Sequence, residues 1–524
     1  MKLFFVLIAF AFFFCDVHSQ TVPYFLSLEE VDAYDLPSIH SYARAQSGSY
    51  WLVVGGRTDG MHSFFPNSAF PVYEQNNNVF VIDTNTWQVW SSSLFNVAYS
   101  SRTSLSSVNT EFIQRGNYLY VAGGYGYDSL SFEKLTFPTL TALDADGIIT
   151  EIVTGGSNLN QFVRQIVDSN FALAGGKLEW LNGRFYLIGG QKFNGFYTKL
   201  NSDFFEQKYS NSMSSFILND DGSNISISDF QFNIDTVNFH RRDLNSAPTI
   251  NSNSEEGIGV YGGVFKYDHN LPFQNPIYIS PTAIVNDFSF EQKMSQYTCP
   301  IITVFDSVNN DMHSIFIGGI SLYDLVDSSQ ILKLDTLVPY INDITTLIHH
   351  SDGTSEEIIL PIKFPELGGA NAEFFLNQSV PHYSNGVIKL SSLNKSTLLG
   401  YIYGGLVSSS GNEGITKGSN KVYKVFLDPS IASTAPDIEG KTEFQIFPNP
   451  AHAFTNIIQF DTGNKIESII IFDLLGKEVH NFKYSANSSG LIRINTSKLF
   501  AGMYSVIVIT NTSTRVLQFA VVNN

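Results

Sequence analysis

The sequence predicts an all-β protein built from repeated groups of antiparallel strands, and three observations support this fold class. Hydrophobic residues make up 43 % of the 524 positions and charged residues only 15 %, with abundant Phe, Tyr, Ile, Val, Ser, Thr and Asn, which favour strands and polar turns. Six seven-residue segments combine five mostly apolar residues with a final Gly-Gly. Turn signals such as Asn-Gly separate short apolar runs. A chain of this length also predicts two or more domains.

The first residues predict a secretory signal peptide over residues 1–19. Lys2 precedes an uninterrupted apolar run from Leu3 to Cys15, and Ser19 is the small residue after which we predict cleavage. No later segment supplies the about 20 apolar residues of a transmembrane helix, so we predict no membrane span in the mature chain. Only Cys299 remains after cleavage, so we expect no intrachain disulfide.

Six double glycines mark six repeats over residues 20–428. They end the runs YWLVVGG (50–56), YLYVAGG (118–124), RFYLIGG (184–190), GIGVYGG (257–263), HSIFIGG (313–319) and LGYIYGG (399–405). A spacing of roughly 55 to 85 residues is typical of β-propeller blades with inserted loops. Glycine permits close backbone approach where one blade meets the next. The sequence therefore predicts a six-bladed β-propeller.

The third repeat gives the clearest view of the strands within a blade. KLEW (177–180) and RFYLIGG flank Asn182-Gly183, and SSFIL and ISISDF flank NDDGSN (219–224), which predicts two hairpins and four strands. We predict a third strand after each double glycine, as in NVFVID (78–83), PIYIS (276–280), QILKLD (330–335) and KVYKVF (421–426). The N-terminal YFLSLEEV (24–31) is predicted to complete the sixth blade, because a ring of sheets must cover its open edge.

The first repeat resembles the kelch repeat of β-propellers, through YWLVVGG followed by NVFVIDTNTWQVW with Asp83 and Trp87. The resemblance extends over roughly residues 21 to 430 and implies a kelch-like, galactose oxidase-like propeller. Some propellers of this type are copper radical oxidases with a tyrosine cross-linked to a cysteine. Tyr297 and Cys299 in QYTCP invite that comparison, but no histidine pair can be assigned, so we predict no metal, no cofactor and a buried, inert thiol.

The C-terminal part of the chain predicts a second, smaller domain. Residues 429–441, PSIASTAPDIEGK, read as a linker. Residues 442–524 contain short alternating strands and predict a small Ig-like β-sandwich. FQIFPNPAHAFTNI (444–457), IFDLLGKEV (471–479) and INTSKLFAGMYSVIV (494–508) resemble the C-terminal sorting domain of the type IX secretion system. The resemblance implies that residues 442–524 engage that machinery and that the protein is secreted or displayed on the outer surface of a Gram-negative bacterium. A generic Ig-like binding module is the alternative.

Propellers bind ligands around the central channel, so polar residues before the first strand of a blade are candidate ligand contacts. HRRDLN supplies His240, Arg241, Arg242, Asp243 and Asn245, and two adjacent guanidinium groups suit a carboxylate or a sugar acid. The alternative is an Arg-Asp pair that ties the strands together. Weaker candidates, whose alternative is a place in the core, are His40, Tyr42, Arg44, His382 and Tyr383.

Charge and motif content limit the possible functions. A net charge of −18 argues against nucleic-acid binding. Neither a metal-ligand spacing nor a nucleophile motif is present, so we predict no catalytic residue, and we interpret Asp144, Asp146, Asp220 and Asp221 as turn residues. We expect a binding or adhesion module for carbohydrate or another surface polymer. The alternatives are an extracellular carbohydrate-active enzyme (an oxidase, epimerase or lyase with its site in the propeller mouth) and a structural surface-layer component.

Overall fold

The computed structural model describes residues 22–65, 68–198, 205–326, 331–429, 444–447, 449–451, 454–459, 466–473, 477–483, 491–510 and 514–522. The chain divides into two compact units, Met1–Ser430 and Ile431–Asn524. The predicted signal peptide with its cleavage site at Ser19, and the predicted linker beyond Pro429, lie outside the described residues. None of the helices found in the described ranges has the length and apolar character needed to cross a membrane.

Within its described residues, the first unit contains six antiparallel sheets in which four strands lie side by side. The first sheet consists of Ala43–Ser47, Tyr50–Val54, Asn78–Asp83 and Val89–Ser93, and the second of Glu111–Arg115, Tyr118–Ala122, Thr139–Asp144 and Val163–Val167. The third consists of Lys177–Leu181, Arg184–Ile188, Ser212–Asp220 and Ile225–Ile234, and the fourth of Asn245–Ile250, Glu256–Tyr261, Ile277–Ile279 and Ile284–Asn286. The fifth consists of Ile301–Asp306, Asp311–Ile317, Asp343–His349 and Ser355–Lys363, with Ile388–Lys389 added beside its first strand. The sixth consists of Ala370–Leu376, Thr397–Ser408, Val422–Pro429 and Tyr24–Glu30, with Thr416–Gly418 paired to Thr397–Ser408.

The N-terminal strand completes the sixth sheet, as predicted for YFLSLEEV. Tyr24–Glu30 pairs antiparallel with Val422–Pro429 over its whole length. Tyr24 is buried, and its hydroxyl donates a hydrogen bond to Thr346 Oγ1 at 3.0 Å in the fifth sheet. The sixth sheet therefore joins strands from the two ends of the first unit.

The double glycines stand where each sheet meets the next. All twelve glycines have φ between +54° and +92°, a region that costs residues with a Cβ about 1–2 kcal/mol. At the first glycine of each pair an added Cβ would lie 3.0 Å or less from a backbone carbonyl oxygen of the segment that leads into the following sheet, as Gly55 would from Leu105 O at 2.8 Å. At Gly404, in the sixth sheet, the carbonyl belongs to Ile39, which leads into the first sheet, at 2.5 Å. The sixth sheet therefore contacts the segment that leads into the first sheet, just as each earlier sheet contacts the segment that leads into the next one.

Three repeats carry an extra two-stranded hairpin directly after the double glycine. These hairpins are Tyr125–Asp128 with Glu133–Thr136, Gln191–Gly195 with Phe205–Tyr209, and Tyr323–Val326 with Ile331–Leu334. The prediction that QILKLD is the third strand of the fifth sheet is therefore wrong, because this segment pairs within the last hairpin and Asp343–His349 takes the predicted place. Period-two alternation marks a strand without marking its partner.

Helices are few in the described part of the chain. The α-helices are Tyr99–Leu105 and Ala145–Val153, and the 3₁₀ turns are Val72–Glu74, Leu94–Asn96, Leu159–Phe162, Ser169–Phe171 and Leu390–Ser392. The interpretation of Asp144 and Asp146 as turn residues is wrong. Asp144 is the N-cap of the second α-helix, where its carboxylate accepts a hydrogen bond from Gly147 N at 3.1 Å. Asp146 lies in the first turn of that helix. Asp220 and Asp221 do occupy a hairpin turn, where Asp220 accepts from Gly222 N at 2.9 Å.

The second unit is also built from strands. One sheet contains Phe444–Phe447, Phe454–Gln459 and Leu491–Asn495, and another contains Glu478–Lys483, Ile466–Asp473, Gly502–Thr510 and Thr514–Val521. The two sheets share one apolar core, in which Ile457, Ile494, Val506 and Phe519 are fully buried. The all-β class predicted from the sequence is confirmed.

Candidate functional site

The first strands of all six sheets line one cavity of about 400 Å³ in the first unit. A cavity of this size falls within the range that binds small molecules. All six sheets contribute side chains to the lining. Its residues are therefore scattered over more than three hundred positions of the sequence. We take this cavity as the candidate functional site.

Six residues of the cavity lining, which we call the ring, lie at one end of the cavity; five are just ahead of a first strand, and Asn371 is the second residue of Ala370–Leu376. Each has a positive φ; they are Ser41, Asn109, Gly175, Asp243, Thr298 and Asn371. Backbone hydrogen bonds join neighbours in this ring: Ser41 N donates to Asn371 O at 3.3 Å, and Asn371 N donates to Thr298 O at 2.5 Å. On the other side, Asp243 N donates to Gly175 O at 2.6 Å and Gly175 N to Asn109 O at 2.9 Å. These four bonds join the ring residues in two groups of three.

Insertions that follow the double glycines cover the same end. His62, from the insertion of the first sheet, lies against Tyr197 of the third, with ring centroids 4.4 Å apart. Met61 N donates to Thr416 Oγ1 of the sixth sheet at 2.7 Å, and Tyr340 of the fifth donates its hydroxyl to Met61 Sδ at 3.6 Å. The contacts with the third and fifth sheets reach beyond the neighbours of the first sheet, so the insertion of the first sheet crosses over the ring. We call this covered side the capped end.

The cavity wall carries charged groups of both signs. Arg44 Nε donates to Glu373 Oε2 at 3.1 Å, and its guanidinium lies 4.8 Å from the centre of the Phe375 ring. On the third sheet Lys177 and Glu179 both line the cavity, and the Ser246 hydroxyl donates to Glu179. Burial raises the pKa of Glu179, while the Ser246 hydrogen bond and the Lys177 ammonium act in the opposite direction.

Two of the sequence-predicted residues, Tyr42 and Asn245, line the cavity. Their side chains form hydrogen bonds with neighbouring sheets. The Tyr42 hydroxyl donates to Tyr403 O at 2.9 Å. Asn245 Nδ2 donates to Gln296 O at 3.0 Å, and Asn245 Oδ1 accepts from Cys299 N at 3.2 Å. Arg44 and Asp243 also line the cavity, and Asp243 Oδ2 accepts from Arg242 at 3.0 Å. Burial raises the pKa of Asp243, and the Arg242 charge opposes that effect.

Arg241 and Arg242 do not form a paired anion site, because their guanidinium groups are engaged inside the protein. Arg241 is 1 % exposed, donates to Asn238 O at 2.7 Å and Gly262 O at 3.2 Å, and lies over Phe273. Burial lowers the pKa of Arg241 to about 9. Arg242 donates to the hydroxyls of Tyr197 at 2.9 Å and Tyr209 at 3.2 Å. The two guanidinium groups have different partners, which the motif alone did not reveal.

The remaining candidates lie away from the cavity wall. His40 is buried beside Ser41 and 3.8 Å from Asp59, and burial lowers its pKa. His240 stacks on Tyr209 at 4.0 Å, with Nδ1 2.6 Å from Asn211 Oδ1. His382 Nδ1 lies 2.7 Å from Val380 O, and Tyr383 packs near Phe305 and Lys389.

Sequence reasoning missed the cavity residues Lys177, Glu179 and Glu373. A signal for the first two was present, since Lys177 and Glu179 alternate with Leu178 in KLEW and period two places them on one face of the strand. Glu373 had no such local signal. Its partner Arg44 lies 329 positions away in the sequence.

Two sequence predictions concern a metal site and the thiol of Cys299 in the part of the chain that the structure describes. No group of three or more His, Cys, Asp or Glu side chains there could hold a metal ion. Cys299 is buried beside Asn245, with its Sγ 3.3 Å from Asn245 Nδ2, and burial raises the pKa of its thiol to about 12. Such a thiol stays protonated and unreactive at neutral pH.

Comparisons with known proteins identify the second unit. Residues 445–523 match the family described as the Secretion system C-terminal sorting domain. No curated protein matches the chain. The solved structure described as "Structure of YjhT" aligns with 74 % of this chain and with 99 % of the YjhT chain, with 12 % sequence identity and a TM-score of 0.41. The family match confirms the sorting domain predicted from the C-terminal motifs. Residues 445–523 are a type IX secretion sorting domain, which indicates export and then secretion or cell-surface attachment in Bacteroidetes-type bacteria.

Proposed function

We propose that the first unit is a six-bladed, kelch-like β-propeller that binds carbohydrate in its central cavity, outside the cell. The six sheets, each meeting the next at a double glycine and the last meeting the first, support the propeller. The Ig-like sandwich of residues 442–524 serves in this proposal as the export signal, and the mature protein works in the medium or on the outer cell surface.

The single observation that carries the binding function is the lining of the cavity. Donors and acceptors stand side by side there, Arg44 with Glu373 and Lys177 with Glu179. A sugar hydroxyl both donates and accepts, so neighbouring hydroxyls match such donor–acceptor pairs. Cations and carboxylates are nearly balanced on this wall, which suits a neutral polyhydroxylated ligand better than a strongly charged one.

A glycan array probed with the fluorescently labelled chain from Gln20 onward tests the proposal. We expect retention on a limited set of glycans. Lys177→Gln and Glu373→Gln should each weaken binding by about 10- to 100-fold, because a hydrogen bond to a charged group contributes about 1.5–3 kcal/mol. Lys333→Gln removes the same charge from an exposed position outside the cavity and should bind like the parent. An empty array, or equal binding by all three variants, would contradict the proposal.

A carbohydrate-active enzyme is the second candidate, and one observation favours it. Glu179 and Asp243 line the same cavity, and burial raises the pKa of both carboxyl groups. A raised pKa is a property that general acids among carboxyl groups share. Incubating each array ligand with the protein and analysing it by mass spectrometry separates the candidates. An enzyme changes the ligand and loses that activity in Glu179→Gln, whereas a binding module returns the ligand unchanged.

A further inference from the structure

The connection between the first two strands of the sixth sheet is unlike the others. Short connections of at most five residues join these strands in the other sheets, such as Gly48 and Ser49 in the first sheet and Asn182 and Gly183 in the third. In the sixth sheet the chain leaves after Leu376 and returns at Thr397. We call residues 377–396 the strap. It starts at the end of the cavity opposite the capped end, because the strands are antiparallel and the double glycines lie at their other ends.

The strap is fixed to the two preceding sheets. Ile388 and Lys389 pair in parallel with Val304 and Phe305 of the first strand of the fifth sheet. Val387 is fully buried in a cluster with Ile250, Phe305 and Met312.

Two polar contacts extend the strap to the fourth sheet. Asn385 Nδ2 donates to Thr249 O at 3.1 Å, and the Ser384 hydroxyl donates to Glu256. A segment that starts on the sixth sheet is therefore held by the fifth and the fourth.

The strap forms part of the cavity wall. Gln378, Asn385, Gly386 and Ile388 all line the cavity. The fourth, fifth and sixth sheets are covered at this end, which leaves the side of the first three sheets.

That open side is lined by Gln46, Gln114, Arg115 and Trp180. Gln46 N donates to Gln114 Oε1 at 2.8 Å, and Gln114 Nε2 donates back to Gln46 O at 2.8 Å, which fixes the rim. Arg115 lies 3.8 Å from the centre of the Trp180 ring. At this end the strap lies over the fourth to sixth sheets, and the rim of the first three sheets is the side that it does not reach.

We propose that the strap and the capped end together make the cavity a one-ended pocket that accepts the terminal unit of a glycan chain and excludes units from the chain's interior. In such a pocket the chain has a single exit, whereas an interior unit needs one exit for the chain on each side of it. About 400 Å³ also suits one or two sugar units rather than a long chain segment. This inference rests on the proposed carbohydrate-binding function.

The test compares position and chain length for every glycan retained on the array. The same sugar unit is presented at the end of an oligosaccharide and in its interior, and the Kd is measured for chains of two to six units. We expect at least tenfold tighter binding of the terminal unit and a Kd that changes by less than about twofold beyond two units. Equal binding of interior units, or an affinity that rises with each added unit, would overturn the inference.

Two variants of the full chain test the strap itself. The double variant Ser384→Ala with Asn385→Ala removes both bonds to the fourth sheet, while Val387 and the Ile388–Lys389 pairing still hold the strap in place. We expect its preference for terminal over interior units to fall at least threefold. Ser379→Ala, an exposed strap residue outside the cavity lining, is the matched control and should keep the preference. An unchanged preference in the double variant would overturn the role of the strap. An empty array would instead overturn the proposed function.

Discussion

Glu111 is a fully buried carboxyl group in the first strand of the second sheet. Glu111 Oε1 accepts a hydrogen bond from Gly176 N at 2.8 Å, and Oε2 has no hydrogen-bond partner among the described residues. Burial raises the pKa of Glu111 to about 8, against the opposing effects of the Gly176 N–H and the Lys177 ammonium. At neutral pH the folded protein therefore holds Glu111 in its neutral form.

This burial makes stability depend on pH in a definite direction. The unfolded chain releases the Glu111 proton near pH 4.5 and the folded protein near pH 8, so the contribution of Glu111 to stability is fully present below pH 4.5. It is lost progressively as the pH rises to 8, by at most about 1.4 kcal/mol per pH unit. The side chain of the Glu111→Gln variant cannot titrate. The difference between its free energy of unfolding and that of the parent should therefore shift in favour of the variant from pH 5 to 8, and should stay constant above pH 8.

Urea unfolding at pH 5, 6.5 and 8 measures this difference. Tryptophan fluorescence reports the first unit alone, because all four tryptophans (Trp51, Trp87, Trp90 and Trp180) lie in it. Glu133→Gln, at an exposed position, is the control and should follow the parent at every pH. A Glu111→Gln difference that stays constant from pH 5 to 8 would contradict the prediction.

At the scale of elements, signals that act over a few residues predicted local structure well. Asn182 and Gly183 have φ of +49° and +83° and close the hairpin that their types predict. Signals of this range do not identify the partner of a strand, which is why QILKLD was placed in the wrong sheet. The same limit applies to the candidate site: Arg44 was predicted as a ligand contact, but its pairing with Glu373 depends on the sixth sheet meeting the first.

The contact between Gly404 and Ile39 offers a test at one such joint. Gly404→Ala combines a φ of +69° with a collision at the Ile39 carbonyl, and we expect it to cost about 3 kcal/mol or more. Gly48→Ala has a similar φ of +55° but open space around the added methyl group, and should cost about 1 kcal/mol. Urea unfolding of both full-length variants, followed by tryptophan fluorescence, gives the comparison. Equal losses would mean that the joint between the sixth and first sheets is not crowded.

On the scale of the whole molecule, the first unit depends on the strand Tyr24–Glu30. Leu26 and Leu28 pack beside the buried Tyr24 against the core of the fifth and sixth sheets. The prediction that this strand completes the last sheet followed from the need to cover an edge, and the double glycines gave the number of repeats. No property of the sequence gave the strap, because its residues make their main contacts with the fourth and fifth sheets.

Removal of the residues before Val31 should lower the stability of the first unit by several kcal/mol, since apolar burial contributes about 25 cal/mol per Å². It should also promote aggregation, because Val422–Pro429 becomes an open edge. The chain from Gln20 onward is the reference, and Glu29→Ala, which breaks only the exposed pair with Lys424 at 3.0 Å, is the control. Urea unfolding and light scattering measure both effects. An unchanged urea midpoint and a monodisperse sample would rule out a stabilising role for this strand.

The pairing of Tyr24–Glu30 with Val422–Pro429 also limits when the first unit can finish folding during synthesis. Glu29 and Lys424 are 395 positions apart in the sequence, and at about 5–20 residues per second a ribosome needs about 20–80 s to add the stretch between them. During that interval Tyr24–Glu30 exists without its neighbour, and the unfinished first unit keeps an unpaired margin. The sixth sheet of the first unit can therefore be completed only after Val422–Pro429 has been synthesised, shortly before the sorting domain of residues 445–523 is made.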